Sequence, residues 1–146
     1  MTWQVYLSGE IHSDWRGQII SACADKGLDV EFTSPVLDHG ASDDVGELIL
    51  GKEEQAFWRD HKAAKINAIR TKKHIEEADL LIVRFGEKYK QWNAAFDAGY
   101  AAALDIPLIT LHDDAIIHPL KEINATALAS CRRVEEVIEI LAYLLK

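Results

Sequence analysis

Cysteine is scarce in this chain of 146 residues: Cys23 and Cys131 are the two, far apart and without metal-like or redox-like spacing. That argues against a disulfide framework, and a reducing cytoplasm is the expected compartment. Long hydrophobic runs are also missing. The stretch at 80–83, "LLIV", is among the longest and falls far short of the ~20 residues that cross a bilayer. No basic stretch followed by an apolar run of signal-peptide length stands at the N-terminus, so a soluble protein with no membrane partner is expected. Positive charge is in deficit, with 16 Lys and Arg against 24 Asp and Glu, for a formal charge of −8. A field of that sign opposes the phosphate contacts that supply most nucleic-acid affinity, which excludes polymeric nucleic acid as the expected partner. A small anionic ligand stays open, because Arg70, Lys72, Lys73, Arg84, Lys88 and Lys90 cluster in mid-chain.

Three chemical signatures are absent as well. "LSGE" (7–10) holds one glycine and is no phosphate cradle of the P-loop or dinucleotide kind. There is no G-x-S-x-G elbow for a serine nucleophile. The histidines form no pair at the i, i+4 spacing of a zinc site; His61 and His74 fall on the polar side of a central helix, and His12 and His112 are loop candidates near a ligand edge. No metal and no cofactor are expected.

What is present is a composition of 49% hydrophobic and 27% charged residues, suited to a single domain over 1–146 with its own core. "TWQVYLSG" (2–9) reads as a strand. Ser13 as N-cap, a stripe of Trp15, Ile19, Ile20 and Cys23, and Gly27 past the end predict a helix. "LDVEFTSP" (28–35) alternates like a second strand, stopped at Ser34-Pro35. Residues 36–60, with glycines among acids, read as loop with helical turns. A helix is expected over 61–78, on a loose stripe of Ala64, Ile66, Ala68, Ile69 and Ile75. "DLLIVRF" and "PLITL" are continuous apolar runs, as in parallel strands covered on both faces. "ATALAS" (125–130) is a weak fifth strand, and Val134, Val137, Ile138, Leu141, Leu144 and Leu145 mark a closing amphipathic helix. Alternating strands and helices imply an α/β, flavodoxin-like, doubly wound parallel sheet of about five strands in order 2-1-3-4-5.

Ligands of such sheets bind beyond the carboxyl ends of the strands, where the strand order reverses. That rule selects Ser8, Gly9 and Glu10 after the first strand, Arg84 after the third, and the start of a helix near Asn93. Asp97 falls in the first or second turn of that helix, with Asn93 and Tyr100 on its face. A surface Asp favoured by the helix dipole would look the same. Against that reading, the segment is lined with alanine, and Gly99 costs a helix about 1 kcal/mol, which suggests close approach of backbone or ligand. Trp58 and Trp92 flank the site segments and are candidates to stack on a planar base, or plain packing residues.

"VYLSGEI", "ADLLIVRF" and "NAAFDAGYAAALDIPLITL" resemble the nucleoside 2-deoxyribosyltransferase family, and within that superfamily the small YtoQ family. The resemblance covers most of the chain, least over 36–60. It implies a flavodoxin-like fold, a nucleoside or nucleotide as the small-molecule partner, and a homo-oligomer. It also implies a carboxylate that attacks the anomeric carbon and displaces the base, from an E-x-G-x-A helix start. Asp97-Ala98-Gly99-Tyr100-Ala101 matches that motif, which puts Asp97 at the nucleophile and Tyr6 at the tyrosine that orients it. Ser8, Gly9, Glu10, Arg84, Gln91 and Asn93 would place the substrate. Three positions depart from the pattern: Asp97 is one methylene shorter than the family's Glu, Gln91 stands six residues before the nucleophile where the family has an acid, and "RTKK" (70–73) replaces another. Gln91 and Asn93 hydrogen-bond but do not exchange protons near neutral pH, leaving Glu10 as the best remaining acid. Two main readings follow, an N-glycosidic-bond enzyme (transferase or hydrolase) and a noncatalytic nucleotide or sugar-phosphate binding protein using the same crevice. An assembly or interaction protein is a third.

Overall fold

The computed structural model describes residues 1–88 and 90–146. Strands β1 (Trp3–Gly9), β2 (Val30–Thr33), β3 (Leu80–Arg84), β4 (Leu108–Leu111) and β5 (Ala129–Cys131) form one parallel sheet in the order β2-β1-β3-β4-β5. The helices are α1 (Trp15–Asp25), α2 (His39–Leu50), α3 (Ala56–Glu76), α4 (Trp92–Ala103), α5 (Lys121–Thr126) and α6 (Val134–Leu144). This is the α/β fold and the strand order expected from the sequence.

Alternation along β1 builds the two faces. Val5 and Leu7 pack with Trp15, Ile19 and Cys23 of α1 and Val137 and Leu141 of α6. Tyr6 points the other way, into a cluster with Ile75 of α3 and Ala94, Ala98 and Ala101 of α4. In β3, Leu80 to Val83 are all buried, as a strand covered on both sides must be. Each such side chain contributes roughly 1.5–3 kcal/mol on burial, so β1 and β3 anchor the fold and give the site a rigid floor.

Local readings needed correction. Ser13 does not cap α1: the N-cap is Asp14, with no side-chain capping bond, while Ser13 bonds Glu10. In the α1 stripe Ile20 is exposed and Arg16 is buried instead. Gly27 does follow the C-cap, at φ +64°. The stretch 36–60 is largely helical. Asp38 caps α2 by accepting from the Ala41 N–H at 3.0 Å, and Gly46 is a crossing point, since a Cβ there would stand 2.5 Å from Lys62 Cβ and 2.7 Å from Ala63 N. Arg59 holds Asp44 at 2.6 Å and Glu47 at 2.8 Å, pinning α2 to α3. Helix α3 accordingly starts earlier than predicted and buries Ala63 and Ile75, whereas Ala64, Ala68 and Ile69 are exposed. The first part of "ATALAS" ends α5, and β5 begins at Ala129. In α6, Leu144 is exposed.

Candidate functional site

Where the strand order reverses, β1 and β3 run side by side, Ser8 level with Val83 and Gly9 with Arg84. Gly9 is required here. Its φ is +110°, and a Cβ would stand 2.1 Å from the Arg84 carbonyl oxygen. Beyond it the Glu10 N–H donates to the same oxygen at 3.0 Å. Arg16 of α1 locks this strand end from the opposite face. Its Nε donates to Leu7 O at 3.1 Å, Nη1 to Glu10 O at 2.6 Å and Nη2 to Gly9 O at 3.2 Å, and its guanidinium lies 4.6 Å from the Trp15 ring centroid. Burial lowers its pKa to about 10, which leaves it a cation at neutral pH. Sequence reasoning missed Arg16, although its place beside Trp15 and three residues before Ile19 puts it on the apolar stripe.

With the strand end fixed, Ser8 faces α4, and its hydroxyl donates to Asp97 Oδ2 at 2.6 Å. Asp97 lies among Ala94, Ala98 and Ala101 on the buried face of α4 and is 7% exposed. Small neighbours let the helix approach the sheet closely and leave the carboxylate without water on most sides. Burial raises its pKa to about 6, the Ser8 bond working in the opposite direction. Tyr6, one pleat below Ser8 on the same face, is fully buried. Its hydroxyl lies beside Thr71 but makes no hydrogen bond of acceptable geometry. Burial and the charge of Asp97 push the phenol well above its ordinary range, so it stays protonated. The bond that the structure gives Asp97 therefore comes from Ser8, with Tyr6 a nearby neutral donor.

Past the carboxyl ends of β1 and β3, a crevice of about 260 Å³ is lined by Glu10, Ser13, Arg84, Gly86, Gln91 and Asp113, among others. Glu10 is 8% exposed. Its Oε1 accepts from the His12 N–H, and from the Ser13 N–H at 2.7 Å, while Oε2 accepts from the Ser13 hydroxyl at 2.6 Å. Arg84 Nε stands 3.3 Å from Oε2 as an ion pair without hydrogen-bond geometry. Burial alone would raise the Glu10 pKa, but these donors and the Arg84 charge hold it below the usual carboxylate value. Glu10 is thus an ionised, saturated carboxylate, which corrects its reading as the best remaining acid. Gln91 is also engaged, its Oε1 accepting from the Gly86 N–H at 3.0 Å.

The structure brings Tyr6, Ser8 and Asp97 together on one sheet face, and Glu10, Arg84 and Gln91 together in the crevice at its end. Asn93 stands apart, exposed on α4. A Cβ at Gly99 would meet nothing within 4 Å, so packing does not explain that glycine. Tyr100 donates to Glu76 of α3. Trp58 and Trp92 are surface residues. His74 is not on a purely polar face: it stacks on Tyr6, ring centroids 6.3 Å apart. His112 is 1% exposed, its Nδ1–H donating to Asp113 O at 2.8 Å and its Nε2 accepting from Asn124 Nδ2 at 2.9 Å. Asn124 in turn accepts from the Thr110 hydroxyl at 2.7 Å, so this network ties α5 to β4. Among the described residues, no group of three or more His, Cys, Asp or Glu is placed to hold a metal ion, and no helix is long and apolar enough to cross a membrane.

Comparison with known proteins agrees with the architecture. The family model described as nucleoside 2-deoxyribosyltransferase YtoQ matches residues 6–145. YtoQ of Bacillus subtilis (strain 168) is 43% identical over 144 residues, covering 99% of this chain and 97% of that protein. Among solved structures, a 2-deoxyribosyltransferase from the psychrotolerant bacterium Bacillus psychrosaccharolyticus superposes with a TM-score of 0.59 at 18% identity, over 92% of this chain and 90% of that one. A conserved protein from Enterococcus faecalis V583 gives a TM-score of 0.68 at 13% identity, over 99% and 100%. At such identities the two structures show a shared fold.

Proposed function

This chain belongs to the nucleoside 2-deoxyribosyltransferase YtoQ family, and on that premise we propose that it cleaves the N-glycosidic bond of a deoxynucleoside with Asp97 as nucleophile. The observation that carries this reading is the state of Asp97: buried among alanines, held by one hydrogen bond from Ser8, with a pKa of about 6. At pH 7 such a group is ionised by roughly 10:1 yet poorly solvated, the condition of a reactive carboxylate.

In the proposed reaction a carboxylate oxygen of Asp97 bonds to C1′ as the C1′–N bond breaks, and the bonding pair leaves with the base, through an oxocarbenium-like transition state. Ser8 aims the carboxylate, and the protonated Tyr6 is a second donor close to it. A water or a second base then attacks C1′ and frees Asp97; the first outcome is hydrolysis and the second is transfer. The departing base takes its proton from solvent, since Glu10 is ionised and saturated and Gln91 is neutral. Arg84 and Gln91 line the crevice where the rest of the substrate would lie.

The test is incubation of the full chain with a panel of deoxynucleosides and their 5′-monophosphates, with and without an acceptor base, following free and exchanged base by chromatography beside Asp97→Asn. Base release that the substitution abolishes supports the enzyme. A second reading has one observation in its favour: neither Glu10 nor Gln91 supplies a proton. On that reading the crevice binds a nucleoside without chemistry, and ligands raise the melting temperature of wild type and variant alike while no base appears.

The family also suggests a homo-oligomer, and exposed Leu48, Ile49, Leu50, Phe57 and Trp58 around the α2–α3 connection support it; light scattering at micromolar concentration tests it. The buried, unpaired thiols of Cys23 and Cys131 support a cytoplasmic setting.

A further inference from the structure

We propose that Glu10 is a built-in anion that fills the anion-binding nest of the β1–α1 turn, so that the crevice accepts a neutral nucleoside and turns away its 5′-phosphate. The inference rests on the nucleoside reading above and adds to it the residue that sets the charge of the substrate.

Backbone N–H groups at a turn leading into a helix form a concave positive surface that binds phosphate or carboxylate. Here that surface is occupied from within the chain. Two backbone N–H groups (His12, Ser13), one hydroxyl (Ser13) and one guanidinium (Arg84) converge on the Glu10 carboxylate. This is the donor set a phosphate monoester would use, and each member already has its anion. Asp14, at the N-cap of α1, makes no side-chain capping bond, so Glu10 is the carboxylate that serves this turn. The stem of Glu10 is hemmed in as well: a Cβ on Gly86 would lie 2.8 Å from Glu10 Cγ.

Position makes this occupancy matter for the substrate. Glu10 lies just past the end of β1, two residues beyond Ser8, so the two Cα atoms are within about 7 Å of each other. A sugar with C1′ at Asp97, the partner of Ser8, has Glu10 as its neighbour on the carboxyl side of the sheet. A phosphate carried to that side meets a fixed negative charge and finds the His12 and Ser13 N–H groups and the Ser13 hydroxyl already taken. The rest of the crevice does not offset the charge: Glu87 and Asp113 join Glu10 against Arg84 and Lys88.

The test reads binding, so it is independent of turnover. Titration calorimetry would compare the four deoxynucleosides, their 5′-monophosphates and inorganic phosphate, on the full chain, on Glu10→Ala, which empties the nest, and on Glu10→Gln, which removes only the charge. Expected are nucleosides binding wild type at least about tenfold more tightly than monophosphates, and no heat from phosphate. Glu10→Ala should gain at least about tenfold in monophosphate affinity, with phosphate competing for the site. If the alanine variant does not fold, Glu10→Gln decides by a smaller gain in the same direction. Wild type binding both classes equally, or no gain in either folded variant, overturns the proposal. Failure of the nucleoside reading looks different: no nucleoside binds or releases base, and the phosphate arm alone then decides, its gain on emptying the nest supporting the proposal and its absence overturning it.

Discussion

The Ser8 hydroxyl and Asp97 Oδ2 meet at 2.6 Å across 89 positions of sequence, and through this contact β1 sets the chemistry of α4. Ser8 is fully buried, so its position follows from the strand end, which Gly9 and Arg16 fix. An alanine-faced helix brings the carboxylate down onto that hydroxyl and removes its water. One donor is enough to hold the charge and too little to replace full hydration, and the pKa of about 6 expresses that balance.

The same balance predicts a stability effect. Folded Asp97 holds its proton more tightly than unfolded Asp97, so its contribution to stability is fully present below pH 3.8 and is lost as pH rises through about 6. At about 1.4 kcal/mol per pH unit the full loss is ~3 kcal/mol. Asp97→Asn carries no such titration. Urea melts should show the variant gaining on wild type by about 2–3 kcal/mol between about pH 4 and about pH 8. A difference that stays constant across that range would rule out burial of the charge as the cause.

If Asp97 is the nucleophile, base release should rise with pH along an acid limb centred near pH 6 and level off above it. Ser8→Ala removes the one hydrogen bond that favours the ionised form. Hydrogen bonds to charged groups contribute about 1.5–3 kcal/mol, so the limb should move up by about 1 pH unit or more. Activity near pH 7 should fall about twofold for a limb moved by about 1 unit and roughly tenfold for one moved by about 2 units, and recover at higher pH. Infrared titration of the Asp97 carboxyl should shift in step; a limb that stays in place in Ser8→Ala would remove Ser8 from the mechanism.

Glycine supplies a two-sided prediction. At Gly9 the backbone is in the left-handed region and a Cβ would strike the Arg84 carbonyl at 2.1 Å, so Gly9→Ala should cost ~3 kcal/mol or more and loosen the β1–β3 edge. At Gly99 nothing lies within 4 Å, so Gly99→Ala should stabilise by about 0.5–1 kcal/mol through helix propensity. Thermal melts measure both. Should Gly99→Ala be more stable yet fail to bind nucleoside, the open space at Gly99 is where the ligand passes.

Strong periodicity made the sheet legible. The continuous apolar run of β3 and the alternation of β1 each admit one arrangement, and the right-handed crossover rule then orders the strands. Asp97 was legible by its setting, a lone carboxylate in an alanine segment near the reversal point. What stayed hidden depends on tertiary contact. Gly46 reads as loop punctuation until α3 is seen against it, and α2 is held by the Arg59 ion pairs and by Lys62 donating to the Leu50 and Gly51 carbonyls, polar contacts that leave no apolar stripe. Glu10 reads as a free acid because its saturation comes from backbone N–H groups and from Arg84.

Arg16 is the clearest hidden case, and it yields the last prediction. A charged residue on an apolar stripe is costly to bury unless every donor finds a partner. Here the guanidinium satisfies the carbonyls of Leu7, Gly9 and Glu10 together, all on the strand end that aims Ser8. Arg16→Met matches the length of the stem but removes the donors to three carbonyl oxygens, of which Glu10 O keeps Trp15 Nε1 at 2.8 Å, so it should destabilise by about 3 kcal/mol. Arg16→Lys keeps the charge without the planar fork and should fall between, with one or two carbonyls served. Denaturant midpoints give the ranking. If Arg16 fixes the strand end, the lysine variant, still folded, should also show a displaced Asp97 titration, because Ser8 moves with the carbonyls on either side of it. A lysine variant that is less stable but keeps the Asp97 titration at about 6 would make Arg16 a core residue with no hold on the site.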